Sequence, residues 1–67
     1  MKRWTRGAML DHLRASRTLT ATSRQMGQGP EWLGRVLRHD PEGVLSRGEA
    51  QAILDACDAV SGGVPTG

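Results

Sequence analysis

Apolar residues recur at helical spacing in the first quarter of the chain. We predict a first helix that runs from an N-cap at Thr5 to about Ser16, since threonine is a favoured cap and the apolar stripe that follows has the period of an amphipathic helix. That stripe consists of Ala8, Met9, Leu10 and Leu13.

Two further helices are predicted on either side of Gly27. The second helix begins with a cap at Thr18 or Thr20 and ends before Gly27, a residue that readily adopts the left-handed conformation after a helix. The third helix is predicted to begin at Pro30, because proline fits the first helical position, and to end at about His39. The inner positions are Leu19, Ser23 and Met26 in the second helix, and Leu33, Val36 and Leu37 in the third.

A fourth helix is predicted after the turn at residues 40–43. Val44 and Leu45 form a hydrophobic lead-in, and Ser46 and Glu49 then have the spacing of a capping box. The helix runs to about Val60 with an apolar stripe of Ala50, Ile53, Leu54, Cys57 and Val60. No sustained alternation typical of strands is found, so the sequence predicts an all-α domain of four or five helices over residues 1–60 and a flexible tail over residues 61–67.

The length and the cysteine count narrow the class of protein. Sixty-seven residues suffice for one domain with a small core. Cys57 is the single cysteine, so no intramolecular disulfide is expected, and the residues near the N-terminus do not have the pattern of a signal peptide. We therefore expect a cytoplasmic protein that does not span a membrane. His12 and His39 are far apart with no third ligand nearby, so neither a metal nor another cofactor is expected.

The net charge of +2 is divided unevenly along the chain. Residues 1–38 carry eight basic and two acidic residues, a net charge of +6, whereas residues 39–67 carry one basic and five acidic residues, a net charge of −4. Eight of the nine basic residues are arginines, whose side chains suit phosphate and guanine contacts. This asymmetry predicts a basic face that meets a polyanion.

The segment from Leu19 to Arg38 has the features of a DNA-binding helix-turn-helix. Ser23 is the small residue where the two helices touch, Gly27 is the turn glycine, and Met26, Leu33 and Val36 are the apolar anchors around it. With these residues in register, the chain resembles the phage-repressor-like (XRE-type) helix-turn-helix family over about residues 5–60. The stretch MGQGPEWLGRVLR is similar to the turn and recognition helix of that family. The chain departs from the family pattern at Thr22, often leucine there, at Ser23, usually alanine, and at Gln28, usually apolar.

The resemblance implies that duplex DNA is the partner and that the third helix enters the major groove. The residues implied to face bases are Gly29, Pro30, Glu31, Gly34 and Arg35. Those implied to bind phosphates are Lys2, Arg3, Arg6, Arg17, Thr18, Thr20, Arg24 and Arg38. Arginine at position 35 has the reach to hydrogen-bond guanine, and Glu31 suits a cytosine amino group. A module of this size is expected to need a homodimer on a two-fold site for tight binding.

Two other interpretations remain open. A protein-interaction module on the same scaffold would expose an apolar patch on the third or fourth helix, with Trp32, Leu37 and Val44 as candidates. A helical bundle with a purely architectural role is the third. No catalytic activity is expected, because no nucleophile accompanies the acidic residues and histidines in a recognisable pattern. Trp4 is predicted to cover the core between the first and fourth helices.

Overall fold

The computed structural model describes residues 3–62 and contains four α-helices in that range. They are α1 (Arg6–Ala15), α2 (Leu19–Gln25), α3 (Trp32–Arg38) and α4 (Arg47–Ser61). These residues form no strand, although Thr5 and Val44 make an isolated antiparallel β-bridge. The prediction of an all-α bundle is confirmed, with four helices in the described range. None of the helices seen in residues 3–62 has the length and apolar character that crossing a membrane requires.

The first turn of α1 is capped by Thr5 and by the loop between α3 and α4. Thr5 Oγ1 accepts a 3.1 Å hydrogen bond from the amide three residues later, so the predicted cap is confirmed. The first two amides of the helix belong to Arg6 and Gly7. They donate to the carbonyl groups of Gly43 and Pro41, respectively, over 2.9 Å. The first amides of a helix have no acceptor within the helix. The loop therefore supplies acceptors that α1 lacks.

The helices α1 and α2 both end at a residue with left-handed backbone. Gly27 follows α2 with a φ of +79°, as its position in the sequence predicts. Arg17 occupies the equivalent place after α1 with a φ of 58°. In both turns two amides bond back to carbonyls of the last helical turn, which is the Schellman arrangement. The sequence does not predict this conformation for Arg17, because a side chain with a Cβ atom disfavours it.

The start of α4 is a complete capping box. Ser46 Oγ accepts from the Glu49 amide, and the Ser46 amide donates to Glu49 Oε1, each over 3.1 Å. These hydrogen bonds from Ser46, first through its backbone and then through its side chain, lower the pKa of Glu49 below its usual value, and the charge of Arg6 acts in the same direction. The helix continues through Ser61, so it includes the first residue of the predicted tail; residues 63–67 of that tail lie outside the described range.

The core lies where α1 packs against α2 and α3, and α2 packs against α3 and α4. Its buried apolar residues are Met9, Leu10, Leu13, Leu33, Leu37, Leu45, Ala50, Ile53, Ala56 and Cys57. Trp4 is partly buried against this core, and its ring meets the His12 ring edge-on at 5.3 Å. The prediction that Trp4 covers the core is confirmed. Cys57 is a buried core residue, also as predicted.

Candidate nucleic-acid interface

The turn between α2 and α3 is held by the hydroxyl of Ser23, which is fully buried. Ser23 Oγ donates to the carbonyl of Gly29 and accepts a 3.2 Å hydrogen bond from the amide of Leu33. Residues 29 and 33 are four apart, so these two groups would bond to each other directly if α3 extended further back. The hydroxyl bridges them instead and fixes the start of α3 against α2.

For that reason α3 begins at Trp32, two residues after the start that the sequence predicts. Pro30 and Glu31 form the preceding turn, and the Trp32 amide bonds to Gly29 over 3.2 Å. The predicted position of Pro30 as the first helical residue is wrong, because the Ser23 hydroxyl occupies the place of the first helical hydrogen bond. The predicted end at His39 is confirmed, since His39 is the C-terminal cap residue.

A groove of about 180 Å³ lies between the start of α2 and the outer side of α3; we call it the α2–α3 groove. Five residues that the sequence predicts as DNA contacts line it together with Leu19. They are Thr20, Pro30, Glu31, Gly34 and Arg38. Residues predicted separately from two helices and the turn thus share one concave surface. Gly29, another predicted contact, is exposed in the turn beside Pro30.

Gly34 lines the groove but is buried, so the prediction that it is an exposed position of the third helix is wrong. A Cβ atom built on Gly34 would lie 3.3 Å from Leu19 Cδ2 and 3.7 Å from Arg38 Nη1. The absence of a side chain lets α2 approach α3 closely, and the Arg38 side chain covers what remains. The resemblance implies that Gly34 faces bases, but its neighbour in the structure is Leu19 of α2.

Three arginines of the α2–turn–α3 unit are available for an external partner. Arg24, Arg35 and Arg38 are exposed, and none of them makes an ion pair with a side chain of residues 3–62. Glu31 is the acidic residue of the α2–α3 groove, and no ion pair joins it to Arg35 or Arg38. The predicted exposure of the three arginines and of Glu31 is confirmed.

Thr18 does not fit its predicted role as a phosphate ligand. It is 7% exposed, and its hydroxyl is engaged with Ser16 Oγ at 2.7 Å and Cys57 Sγ at 3.3 Å. Its amide donates to the carbonyl of Leu13 over 3.0 Å. The hydroxyl joins the end of α1 to α4 and the amide closes the end of α1, so neither is available to a phosphate and the prediction for Thr18 is wrong. Thr20, the alternative cap residue, is exposed and lines the α2–α3 groove.

Arg3 and Arg6, both predicted to bind phosphate, lie in different surroundings. Arg6 Nη1 lies 3.7 Å from Asp40 Oδ2 and also donates to the Asp40 carbonyl, so Arg6 is engaged within the molecule rather than free to bind phosphate. Arg3 is exposed but lines a different groove. Arg17 is exposed at the end of α1, and Lys2 lies outside the described residues.

The structure also contains a groove that the sequence does not predict. It has a volume of about 490 Å³ and lies beside the first half of α4; we call it the α4 groove. Its walls are Arg3, Trp4, Val44, Leu45, Arg47, Ala50, Gln51 and Leu54, none of which lines the α2–α3 groove. Of the candidates for an exposed apolar patch, Val44 is 53% exposed, Trp32 is partly buried and Leu37 is fully buried. The candidate Leu37 is therefore wrong, because it faces the core.

Comparison of the chain with protein-family models, with curated proteins and with solved structures finds no match. The side chains of residues 3–62 include no group of three or more histidines, cysteines or carboxylates placed to hold a metal ion.

Proposed function

We propose that the chain is a DNA-binding domain of the phage-repressor-like helix-turn-helix type, which places α3 in the major groove of duplex DNA. Its biological role would be that of a small transcriptional regulator of a bacterium or phage, acting in the cytoplasm. The proposal assigns no catalytic step to the chain and no cofactor.

The observation that carries the proposal is the composition of the α2–α3 groove. Thr20 from α2, Glu31 from the turn and Arg38 from α3 line one surface, with exposed Arg24 and Arg35 on the two helices. Residues 18–38 carry three arginines and one glutamate, whereas residues 39–62 carry one arginine and five acidic residues. A helix pair with a net charge of +2, next to a segment 39–62 with a net charge of −4, favours one orientation on a polyanion.

Within this proposal the side chains have different tasks. Arg35, on the exposed side of α3, reaches base edges, where a bidentate contact with guanine contributes ~1–3 kcal/mol of discrimination. Glu31 accepts from a cytosine amino group at the start of the helix. Arg38, Arg24 and the Thr20 hydroxyl bind phosphates, which sets affinity and salt dependence rather than sequence.

The first test is a titration of isotope-labelled protein with mixed-sequence duplex DNA at two salt concentrations, followed by amide chemical shifts. We expect the shifts to concentrate on residues 18–38 and to weaken steeply with salt, because phosphate contacts release counterions. If the shifts stay flat at low salt, or occur on α4 alone, the proposal fails.

A pair of substitutions sharpens this test. Arg38→Ala should weaken binding to all duplexes and reduce the salt slope by about 1, since one phosphate contact is lost. Arg14→Ala is the matched control, because Arg14 is also an exposed arginine but lies on α1 and lines neither groove. Equal effects of the two substitutions would show that binding depends only on the net charge of the protein. The α2–α3 groove would then not be the DNA-binding surface.

The second candidate function is a protein-interaction module on the same scaffold. The α4 groove favours it, because Val44 is exposed and Trp4 and Leu54 add apolar surface. A protein ligand would shift the amides of residues 44–54 and leave those of residues 29–38 unchanged.

A further inference from the structure

Part of the lining of the α2–α3 groove is apolar. Leu19 from the first turn of α2 and Pro30 from the turn before α3 both contribute to it. Gly34 adds no side chain of its own, and a Cβ atom at that position would lie only 3.3 Å from Leu19 Cδ2. The groove therefore contains a small apolar surface that an external group can reach.

A free carboxylate lies next to this apolar surface. Glu31 lines the groove beside Pro30, is exposed, and makes no ion pair with a side chain of residues 3–62. An ionised carboxylate only accepts hydrogen bonds. A group that matches this part of the groove therefore carries a hydrogen-bond donor for Glu31 next to an apolar atom for Leu19 and Pro30.

The size of the groove limits what can occupy it. Its volume of about 180 Å³ is below the roughly 300–1,000 Å³ of sites that enclose a small molecule. It suits the edge of a DNA base, which presents only a few atoms in the major groove.

The four ordinary bases each lack one of the two required features. Cytosine presents an amino group at C4 but no methyl group, and adenine also presents an amino group without a methyl group. Thymine presents a methyl group at C5, but its O4 atom is an acceptor and would face the carboxylate. In 5-methylcytosine the amino group and the methyl group lie on adjacent ring atoms, so both features occur together.

We propose that the α2–α3 groove recognises 5-methylcytosine in duplex DNA. The amino group donates to Glu31, and the methyl group packs against Leu19 and Pro30. The inference rests on the proposed function, because the groove meets base edges only if α3 lies in the major groove. It adds that methylation of the DNA, and not only its sequence, controls binding.

The test begins with selection of binding sites from randomised duplexes that contain either cytosine or 5-methylcytosine. The full chain is then titrated with the selected duplex carrying 5-methylcytosine, cytosine or thymine at one position at a time. We expect one position at which 5-methylcytosine binds about fourfold more tightly than cytosine, as the burial of one methyl group requires. Thymine at that position should bind at least about tenfold more weakly than 5-methylcytosine, because O4 replaces the donor.

Two substitutions test the two contacts separately. Glu31→Gln supplies a donor as well as an acceptor, so the preference for 5-methylcytosine over thymine should fall to about twofold or less. Pro30→Ala removes part of the apolar surface, so the gain from the methyl group should fall from about fourfold to about twofold. Pro41→Ala is the matched control and should keep the fourfold gain, because Pro41 is also exposed but lines neither groove.

Each ratio compares two duplexes on one protein, so a change in the folded fraction cancels. Failure to bind any duplex at low salt would defeat the proposed function and this inference with it. Binding with equal affinity for cytosine and 5-methylcytosine, or for thymine and 5-methylcytosine, would overturn this inference alone. A methyl gain that survives Pro30→Ala unchanged, or that Pro41→Ala reduces equally, would also overturn it.

Discussion

Replacing Ser23 by alanine tests the role of one hydroxyl in joining α2 to α3. The substitution removes the bridge between the Gly29 carbonyl and the Leu33 amide. Gly29 is exposed, so water can donate a hydrogen bond to its carbonyl in place of the hydroxyl. The Leu33 amide, in contrast, lies in the interior, where water does not reach it. Leaving a buried donor without an acceptor costs about 1–3 kcal/mol. We expect the free energy of unfolding to fall by about 2 kcal/mol, and the melting temperature to fall by roughly 8–16 °C in a domain of this size.

The neighbouring residue provides a control with the opposite sign. Thr22 is also fully buried on α2, but its hydroxyl has no hydrogen-bond partner among residues 3–62. Thr22→Val keeps the shape of the side chain and removes the unsatisfied oxygen, so we expect stability to rise by about 1 kcal/mol. Urea unfolding of the three proteins, analysed with a shared slope, gives both differences.

A neutral or stabilising Ser23→Ala would refute this reasoning. It would mean that α3 extends backwards and that the Leu33 amide bonds directly to the Gly29 carbonyl. Hydrogen exchange at Leu33 distinguishes the cases, because its amide should lose protection only if it is left without an acceptor. Repressor-like domains, which the chain resembles, usually have alanine at this position. The resemblance therefore leads one to expect that Ser23→Ala does not destabilise the fold, whereas the hydrogen bonds of Ser23 lead one to expect that it does.

Three further predictions concern backbone conformation and capping. Arg17→Gly should stabilise the fold by about 0.5–1 kcal/mol, because glycine relieves the left-handed backbone, as thermal unfolding would detect. Gly27→Ala should destabilise it by about 1 kcal/mol in the same assay; an added Cβ meets no atom within 4 Å, so a larger loss would contradict a purely conformational cause. The pKa of Glu49 is lowered in the folded state, so its contribution is complete above the usual value of 4.5 and is lost as the pH falls below it. Urea midpoints between about pH 7 and pH 3 should therefore fall more steeply for the original chain than for Glu49→Gln, which keeps an acceptor for Ser46 without the titration; parallel curves would contradict this.

The elements predicted most accurately from the sequence are those set by local chemistry. Thr5, Gly27 and the Ser46–Glu49 pair act on residues within one helical turn, so the sequence contains both partners of each interaction. The apolar period then identifies the buried side of each helix, because residues three and four apart share a face.

The candidate site is predicted less well, since exposure depends on partners far along the chain. Thr18 is buried by Cys57, which is 39 residues away, and Arg6 is engaged by Asp40, which is 34 residues away. Gly34 is covered by Leu19 from the preceding helix. No local sequence pattern contains these pairings. The sequence therefore could not show whether Thr18, Arg6 and Gly34 contact DNA or have a structural role within the fold.

The pairing of the segment 4–7 with the segment 41–45 changes which end of the protein opens first. The Leu45 amide bonds to the Trp4 carbonyl over 2.7 Å, and the amides of Arg6 and Gly7 bond to the same loop. Helix ends near a terminus usually fray before the rest of a domain. Here the start of α1 can open only if the chain separates from a loop that also leads into α4. Local opening should therefore begin at the far end of α4, and the first turn of α1 should exchange its amide protons together with the core.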